Sequence, residues 1–194
     1  MTDLTPVILT PEILRGVLLA ADEAEPVGAR GSTDAAVLAP IFGLSQRPGL
    51  VFTERREDMR RHPGEISFPG GRPEPGEDLR TAALREAEEE IGLKGADVEV
   101  LGALPPVSTV VTGYMICPFV GLIPSGLEFR PNPAEVAVVL LLHLDELEAG
   151  FGMRRLVRRG VPIKTATYEV GEHLVWGATA RILGLLLERL GRAP

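Results

Sequence analysis

Short apolar runs, separated by turns that contain proline or glycine, dominate the pattern of hydrophobic and polar positions along the chain. Runs of this length, rich in valine, isoleucine and leucine, are typical of β-strands. They predict strands over residues 35–44, 49–53, 98–104, 115–122, 137–142, 154–157 and 165–170. The polar turn between the first two runs predicts a hairpin, and the last two runs predict a second strand pair.

Helical spacing of apolar residues occurs near both ends of the chain and once near its middle. Thr10 followed by Pro11 predicts an N-cap and a helix over residues 10–24. Its inward-facing side chains are Ile13, Leu14, Val17 and Leu18. Further helices are predicted over residues 78–91, 145–149 and 177–190, the last with Ile182, Leu183, Leu186 and Leu190 inside. These elements predict an α+β sandwich, in which helices cover both faces of a mixed, curved sheet.

The composition predicts a single globular domain over residues 1–194. Apolar residues make up 45% of the chain, yet no uninterrupted apolar run approaches the roughly 20 residues that span a bilayer. The first residues lack the basic flank, apolar segment and cleavage site of a secretory signal, so we expect a cytoplasmic protein without membrane contact. Cys117 is the only cysteine, and its apolar neighbours predict a buried strand thiol.

The net charge of −7 argues against a general nucleic-acid surface, which would normally be basic. The basic charge is almost entirely arginine, and it clusters at residues 55–61 and 153–159. Genome composition is one explanation of this bias. The other is that planar guanidinium groups bind phosphates bidentately, which favours arginine where a polyphosphate is held.

The segment from Gly71 to Leu93 is the strongest chemical signal in the chain. A loop rich in proline and glycine precedes a predicted helix, on which Glu86, Glu89 and Glu90 share one face. A solvated helix face would explain such carboxylates if they stood alone. Arg85 can reach Glu89 at the i+4 position, and all-oxygen ligands suit hard cations such as Mg²⁺ or Mn²⁺. The chemistry indicated is transfer of a phosphoryl or pyrophosphoryl group to water.

The same segment resembles the Nudix box, G-x5-E-x7-R-E-U-x-E-E-x-G-U, at every defined position. Residues 71–93 carry the match, with Ala87 a small choice for the apolar position U. The resemblance implies an α/β/α sandwich and hydrolysis of a nucleoside diphosphate linked to another moiety. It also implies that Glu86, Glu89 and Glu90 are metal ligands and catalytic residues. Arg85 would orient these carboxylates, and Glu77 would support the helix or a second metal ion.

Residues 53–71 are similar to a second signature, T-x-R-[SA]-x3-R-x3-G-x3-F-P-G-G, of Nudix enzymes that hydrolyse coenzyme A. Two departures are Val51-Phe52 in place of paired leucines and Arg56 at the small position. Coenzyme A carries a 3′-phosphate besides its diphosphate, and Arg55 and Arg60 are the candidate cations for it. The candidate substrate-binding residues are Arg55, Arg60, Gly70 and Gly71. Alternatively, these arginines form a solvated loop or pair with Glu54, Glu57 and Asp58.

The predicted activity is cleavage of coenzyme A, or an acyl or oxidised form, to 4′-phosphopantetheine and 3′,5′-adenosine bisphosphate. ADP-ribose or dinucleoside polyphosphates are the rival substrates, and a nucleotide-binding domain without turnover is the alternative from another class. The general base stays open among Glu89, Glu135, Asp145 and Glu146. Structural roles explain all three histidines, His62, His143 and His173. Assembly as a homodimer stays an open alternative.

Overall fold

The computed structural model describes residues 9–23, 33–58, 64–109, 113–158 and 161–192. Its helices are α1 (Pro11–Val17), α2 (Leu79–Ile91), α3 (Leu144–Ala149) and α4 (Gly177–Arg189), with a short 3₁₀ turn at Gly95–Asp97. Its strands are β1 (Thr33–Phe42), β2 (Gly49–Arg55), β3 (Ile66–Ser67), β4 (Gly70–Gly71), β5 (Glu99–Ala103), β6 (Val107–Ser108), β7 (Tyr114–Leu122), β8 (Val136–His143), β9 (Phe151–Arg158), β10 (Val161–Val170) and β11 (His173–Trp176). The strands predicted from apolar runs are confirmed with small shifts of their ends.

A mixed sheet of eight strands forms the centre of the fold. Strands β1 and β7 run parallel, in a register from Thr33 opposite Tyr114 to Ile41 opposite Leu122. The other pairs are antiparallel, including β2 with β8 and the predicted hairpin of β1 and β2. Strand β4 is short but pairs with β1, which brings the start of the Nudix-like segment onto the sheet.

Helices cover both faces of this sheet. Because side chains alternate along a strand, β1 places Ala36 and Leu38 on one face and Ala39 and Ile41 on the other. The first pair belongs to a core cluster with buried residues of α2, and the second pair to a cluster with residues of α1, α3 and α4. The α+β arrangement predicted from the sequence is therefore confirmed, with α2 alone among the four helices on its face.

The first helix is shorter than predicted. Thr10 does cap it, through its hydroxyl oxygen and the N–H of Ile13, but α1 ends at Val17. Leu19 instead forms an isolated antiparallel bridge with Ala103, with two backbone hydrogen bonds of 2.9 Å. Pairing with the sheet thus replaces the next helical turn. Leu14 and Leu18 are buried as predicted, whereas the inward orientation predicted for Ile13 is wrong, since it is 41% exposed.

A second sheet of three strands, in the order β11-β10-β9, packs near α4. The predicted pairing of β9 with β10 is confirmed, and β11 is an additional strand that precedes α4 directly. Cys117 is fully buried on β7, as predicted, and burial raises the pKa of its thiol to about 11. Within the described ranges, no helix combines the length and apolarity needed to cross a membrane.

Gly16 offers a test of how far α1 contributes to stability. It is exposed within the helix, and an added Cβ would meet no heavy atom within 4 Å. Gly16→Ala is therefore expected to stabilise the protein by about 0.5–1 kcal/mol, because glycine loses more backbone entropy on entering a helix. At this chain length, the melting temperature should rise by about 2–4 °C per kcal/mol. Thermal unfolding followed by circular dichroism measures the change, and an unaltered melting temperature would contradict the prediction.

Candidate active site

Local signals define the helix that carries the glutamates. The side chain of Asp78 caps its N-terminus by accepting the N–H of Thr81 at 3.0 Å, as expected for an N-cap aspartate. Gly92 ends it in the left-handed conformation, with φ of 70°. The face toward the sheet consists mainly of Ala82, Ala83, Ala87 and Ile91. Small side chains on this face bring the helix backbone, and with it the glutamates, close to β1 and β4.

Arg85 connects the carboxylates of the segment. Its Nε and Nη2 donate to the two carboxylate oxygens of Glu77 at 2.9 and 3.1 Å. Its Nη1 donates to Glu86 at 3.0 Å and to Glu89 at 3.1 Å, and Nη2 also reaches the carbonyl of Arg72 at 3.1 Å. Hydrogen bonding to Arg85 lowers the pKa of Glu77. The contacts fit the orienting role that the resemblance implies for Arg85, and Glu77 supports the loop through it.

Glu90 lies deepest of the three glutamates, with only 6% of its surface exposed. One carboxylate oxygen accepts the backbone N–H of Gly70 at 3.2 Å. Burial raises the pKa of Glu90 to about 7, against the effect of that hydrogen bond. Burial likewise raises the pKa of Glu86, although Arg85 acts in the opposite direction. A buried carboxylate that has lost the stabilisation of water is stabilised by a nearby cation. Glu86, Glu89 and Glu90 offer only oxygen ligands, so they fit a hard divalent ion.

The carboxylates of Glu86, Glu89 and Glu90 do not converge on one common position. In the part of the chain that the structure describes, no group of three His, Cys, Asp or Glu side chains is arranged to hold a metal ion as it stands. Arg85 engages oxygens of Glu86 and Glu89, whereas Glu90 engages the N–H of Gly70. Changes of side-chain rotamer on one helix face are therefore needed for these glutamates to share a ligand.

Gly70 and Gly71 contact the glutamates directly. A Cβ on Gly71 would lie 2.4 Å from the carboxylate carbon of Glu86, and one on Gly70 would lie 2.3 Å from the carbonyl oxygen of Ala36. Gly70 also adopts a φ of 155°, at the limit of what other residues adopt. Strand β4 thus passes between β1 and α2 only because both residues lack a side chain. Their predicted contact with substrate stays a prediction.

The basic loop is only partly described. Arg60 and His62 lie outside the described residues. Arg55 ends β2, and its charge lowers the pKa of Glu90, so the guanidinium lies near that carboxyl group. The Nε of Arg55 is buried and has no hydrogen-bond partner among the described residues. Arg56, by contrast, pairs with Asp58 in a bidentate contact at 2.8 and 2.7 Å.

The departure at Val51 and Phe52 from the coenzyme A signature belongs to the core. Both side chains are fully buried, on opposite faces of the sheet. Phe52 stacks on Phe68 with ring centroids 4.6 Å apart, and the hydroxyl group of Thr53 hydrogen-bonds to Ser67. Residues at both ends of the signature therefore hold β2 and β3 together, and Val51 and Phe52 belong to the two core clusters.

Three carboxylates outside the box were candidates for the general base, and the fold separates them. The negative charge of Glu135 raises the pKa of both Glu86 and Glu90, so its carboxylate lies near the glutamate cluster. Asp145 and Glu146 instead lie at the start of α3, on the other face of the sheet, where both bind Arg47. The sequence could not distinguish them, because Glu135 reaches α2 only through tertiary structure.

The two described histidines lie outside this cluster. His143 contacts the carbonyl oxygen of Arg47 through Nδ1 at 3.2 Å and packs edge-on against Phe42. His173 lies on β11, with Nδ1 3.4 Å from a carboxylate oxygen of Glu54. Both have structural partners, as expected from the sequence.

Comparison with known proteins identifies the class that this fold and glutamate helix define. The family model for the NUDIX domain matches residues 32–160, and the chain belongs to the Nudix hydrolase family. Members of this family act on phosphoric anhydrides and generally use divalent metal ions.

Relatives and solved structures agree with this assignment. A protein of Photorhabdus laumondii is 38% identical, over 80% of this chain and 84% of its own length. One of Escherichia coli strain SMS-3-5 is 40% identical, over 82% of this chain and 84% of its own length. Both carry the name "Uncharacterized Nudix hydrolase NudL". The crystal structure of a MutT/nudix family protein from Enterococcus faecalis covers 88% of this chain and 71% of its own, with 13% identity and a TM-score of 0.57, which shows the shared fold.

Proposed function

We propose that the protein hydrolyses coenzyme A, or an acyl or oxidised form, to 4′-phosphopantetheine and 3′,5′-adenosine bisphosphate. The observation that carries this proposal is the buried Nε of Arg55, which finds no hydrogen-bond partner in the described part of the chain and belongs to a guanidinium close to Glu90. A buried donor without an acceptor costs about 1–3 kcal/mol. A phosphate oxygen would remove that cost, and would do so beside the glutamates.

The charge of the substrate favours coenzyme A over simpler dinucleotides. Its 3′-phosphate adds a dianion to the diphosphate, and this group needs cations beyond the metal ions. Arg55 and Arg60 of the signature are the proposed cations, the first from its position at the end of β2 and the second from the sequence alone. Gly70 and Gly71 are also proposed to contact the substrate, because both lie directly against the carboxylates of Glu90 and Glu86.

Glu86, Glu89 and Glu90 are the proposed ligands of Mg²⁺ or Mn²⁺. When bound, such an ion neutralises charge on the diphosphate and lowers the pKa of a coordinated water. Arg85 donates to Glu86 and Glu89 and so orients both carboxylates. The burial of Glu90 favours a cation beside it, because a poorly solvated carboxylate lacks the stabilisation that water would give.

Glu135 is the proposed general base. Its carboxylate is exposed to solvent and close to Glu86 and Glu90, so it can accept a proton from the attacking water and release it to bulk water. Glu89, the other candidate, is engaged by Arg85. With Glu135 as the base, the side chain that accepts the proton is not one of the proposed metal ligands.

Product analysis tests the substrate. With Mg²⁺ or Mn²⁺ present, the protein should convert coenzyme A to the two named products, which liquid chromatography with mass spectrometry resolves. The specificity constant should be lower for 3′-dephospho-coenzyme A, because that compound lacks the dianion proposed to contact the arginines. Higher specificity constants for ADP-ribose or a dinucleoside polyphosphate would contradict the assignment. Binding of nucleotides without any product would instead identify a domain that lacks turnover.

A further inference from the structure

Arg56 joins the end of β2 to a turn far away in the sequence. Asp58 holds the guanidinium through Nε and Nη2, and Nη1 donates to the carbonyl oxygen of Pro133 at 2.5 Å. The backbone N–H of Arg56 donates to the carbonyl oxygen of Glu135 at 3.2 Å. One residue therefore contacts both ends of the segment from Pro133 to Glu135. All three guanidinium nitrogens of Arg56 already have protein acceptors, which argues against a direct role in binding phosphate.

The other side of the same turn is fixed to the glutamate helix. The backbone N–H of Asn132 donates to the carbonyl oxygen of Glu90 at 2.8 Å. The carbonyl of Asn132 accepts the N–H groups of Glu135 and Val136, and its side-chain oxygen accepts the N–H of Ala134. The turn is thus held between α2, through Asn132, and β2, through Arg56. Glu135 lies between these two anchors.

We infer that Arg56 is a positioning residue, which fixes the turn of residues 133–135 so that the carboxylate of Glu135 stays beside Glu86 and Glu90. The inference rests on the proposed role of Glu135 at the glutamate site. It also gives a reason for the departure of this chain from the coenzyme A signature, which has serine or alanine at the position of Arg56. A side chain that small cannot reach Pro133, so the turn would keep only the backbone contact.

A double-mutant cycle tests whether Arg56 acts through Glu135. Arg56→Ser is expected to lower kcat about 10-fold, as for residues that orient a metal site, with KM for the substrate little changed. Glu135→Gln should lower kcat at least as much. The double variant should be no slower than Glu135→Gln alone, because Arg56 has nothing left to position. The assay uses whichever phosphoric anhydride the parent cleaves fastest, so that failure of coenzyme A as substrate does not affect the result.

Arg47→Ser is the matched control. Arg47 is a similarly exposed arginine in a bidentate contact with an aspartate, Asp145, but it lies by α3 on the other face of the sheet. Its removal should leave kcat unchanged. Arg56→Lys, which retains one donor for Pro133, should recover part of the loss. If Arg56→Ser does not fold, as judged by circular dichroism, Asp58→Asn weakens the same clamp and replaces it in the cycle.

Binding of Mn²⁺ gives a readout that does not depend on turnover. Electron paramagnetic resonance titration should show unchanged Mn²⁺ binding in both Arg56→Ser and Arg47→Ser, because Glu135 is the proposed base and not a metal ligand. Weaker Mn²⁺ binding in Arg56→Ser would overturn the inference, because Arg56 would then act on the metal ligands themselves. Multiplicative losses of kcat in the double variant would overturn the inference, because Arg56 would then act independently of Glu135. Full activity of Glu135→Gln would overturn it together with the proposed base, while leaving the choice of substrate unaffected.

Discussion

Glu86→Gln and Glu90→Gln should each lower the rate of hydrolysis about a thousandfold, equivalent to about 4 kcal/mol of activation barrier. The amide keeps the size of the side chain but removes the negative charge that a divalent ion needs from its ligand. Glu90 is buried, the side chain of Glu86 is only 20% exposed, and both lie against Gly70 and Gly71, so water cannot easily replace the lost ligand. Steady-state rates at saturating Mg²⁺ measure the effect.

Stability separates this loss of activity from misfolding. The raised pKa of Glu90 means that the folded protein binds a proton more tightly than the unfolded chain, so metal-free stability is lost as the pH rises from about 4.5 to about 7. Glu90→Gln removes this dependence, and at pH 8 without metal it should be at least as stable as the parent. Urea unfolding at several pH values tests the sign.

Glu88→Gln is the control for both substitutions. Glu88 belongs to the same helix but is exposed, and no hydrogen bond of its side chain connects it to the cluster. Its rate should stay within about twofold of the parent, as for surface substitutions away from a site. Comparable losses in Glu88→Gln and Glu90→Gln would attribute the effect to the overall charge of the helix and would contradict metal ligation by Glu90.

The parts of the fold that local chemistry determines were predictable from the sequence. The helix α2 begins and ends within a residue of its prediction, because Asp78 caps it and Gly92 adopts a left-handed conformation. The first helix was predicted too long, because the pairing of Leu19 with Ala103 joins residues distant in sequence. The apolar pattern within residues 10–24 gives no indication that Leu19 pairs with a residue beyond position 100.

In the candidate site, too, local spacing predicted some residues, whereas others are brought in by contacts between distant parts of the chain. Spacing on one helix places Glu86, Glu89 and Glu90 on the same face, and Arg85 of the same helix donates to Glu86 and Glu89. Glu135 joins the cluster through the backbone hydrogen bond between Asn132 and Glu90, which no motif marks. The contact of Arg56 with Pro133 is equally nonlocal, and a signature that expects a small residue there gives no indication of it.

Gly71→Ala should lower kcat about 100-fold while changing stability by only about 1–3 kcal/mol. The added Cβ would lie 2.4 Å from both the carboxylate carbon and one oxygen of Glu86, far inside van der Waals contact. Because Arg85 holds the same carboxylate at 3.0 Å, Glu86 can move away only by giving up that hydrogen bond. A displacement of about 1 Å at a catalytic group is enough for losses of this size.

The backbone of Gly71 does not require glycine for conformational reasons, since its φ lies outside the left-handed region. The effect of alanine should therefore come from the contact with Glu86 alone. Gly95→Ala is the matched substitution, because a Cβ there would meet only Leu84, at 4.0 Å, and its rate should equal that of the parent. Steady-state kinetics and urea unfolding of both variants test the prediction. Full activity of Gly71→Ala would mean that the position of Glu86 beside β4 is not needed for hydrolysis.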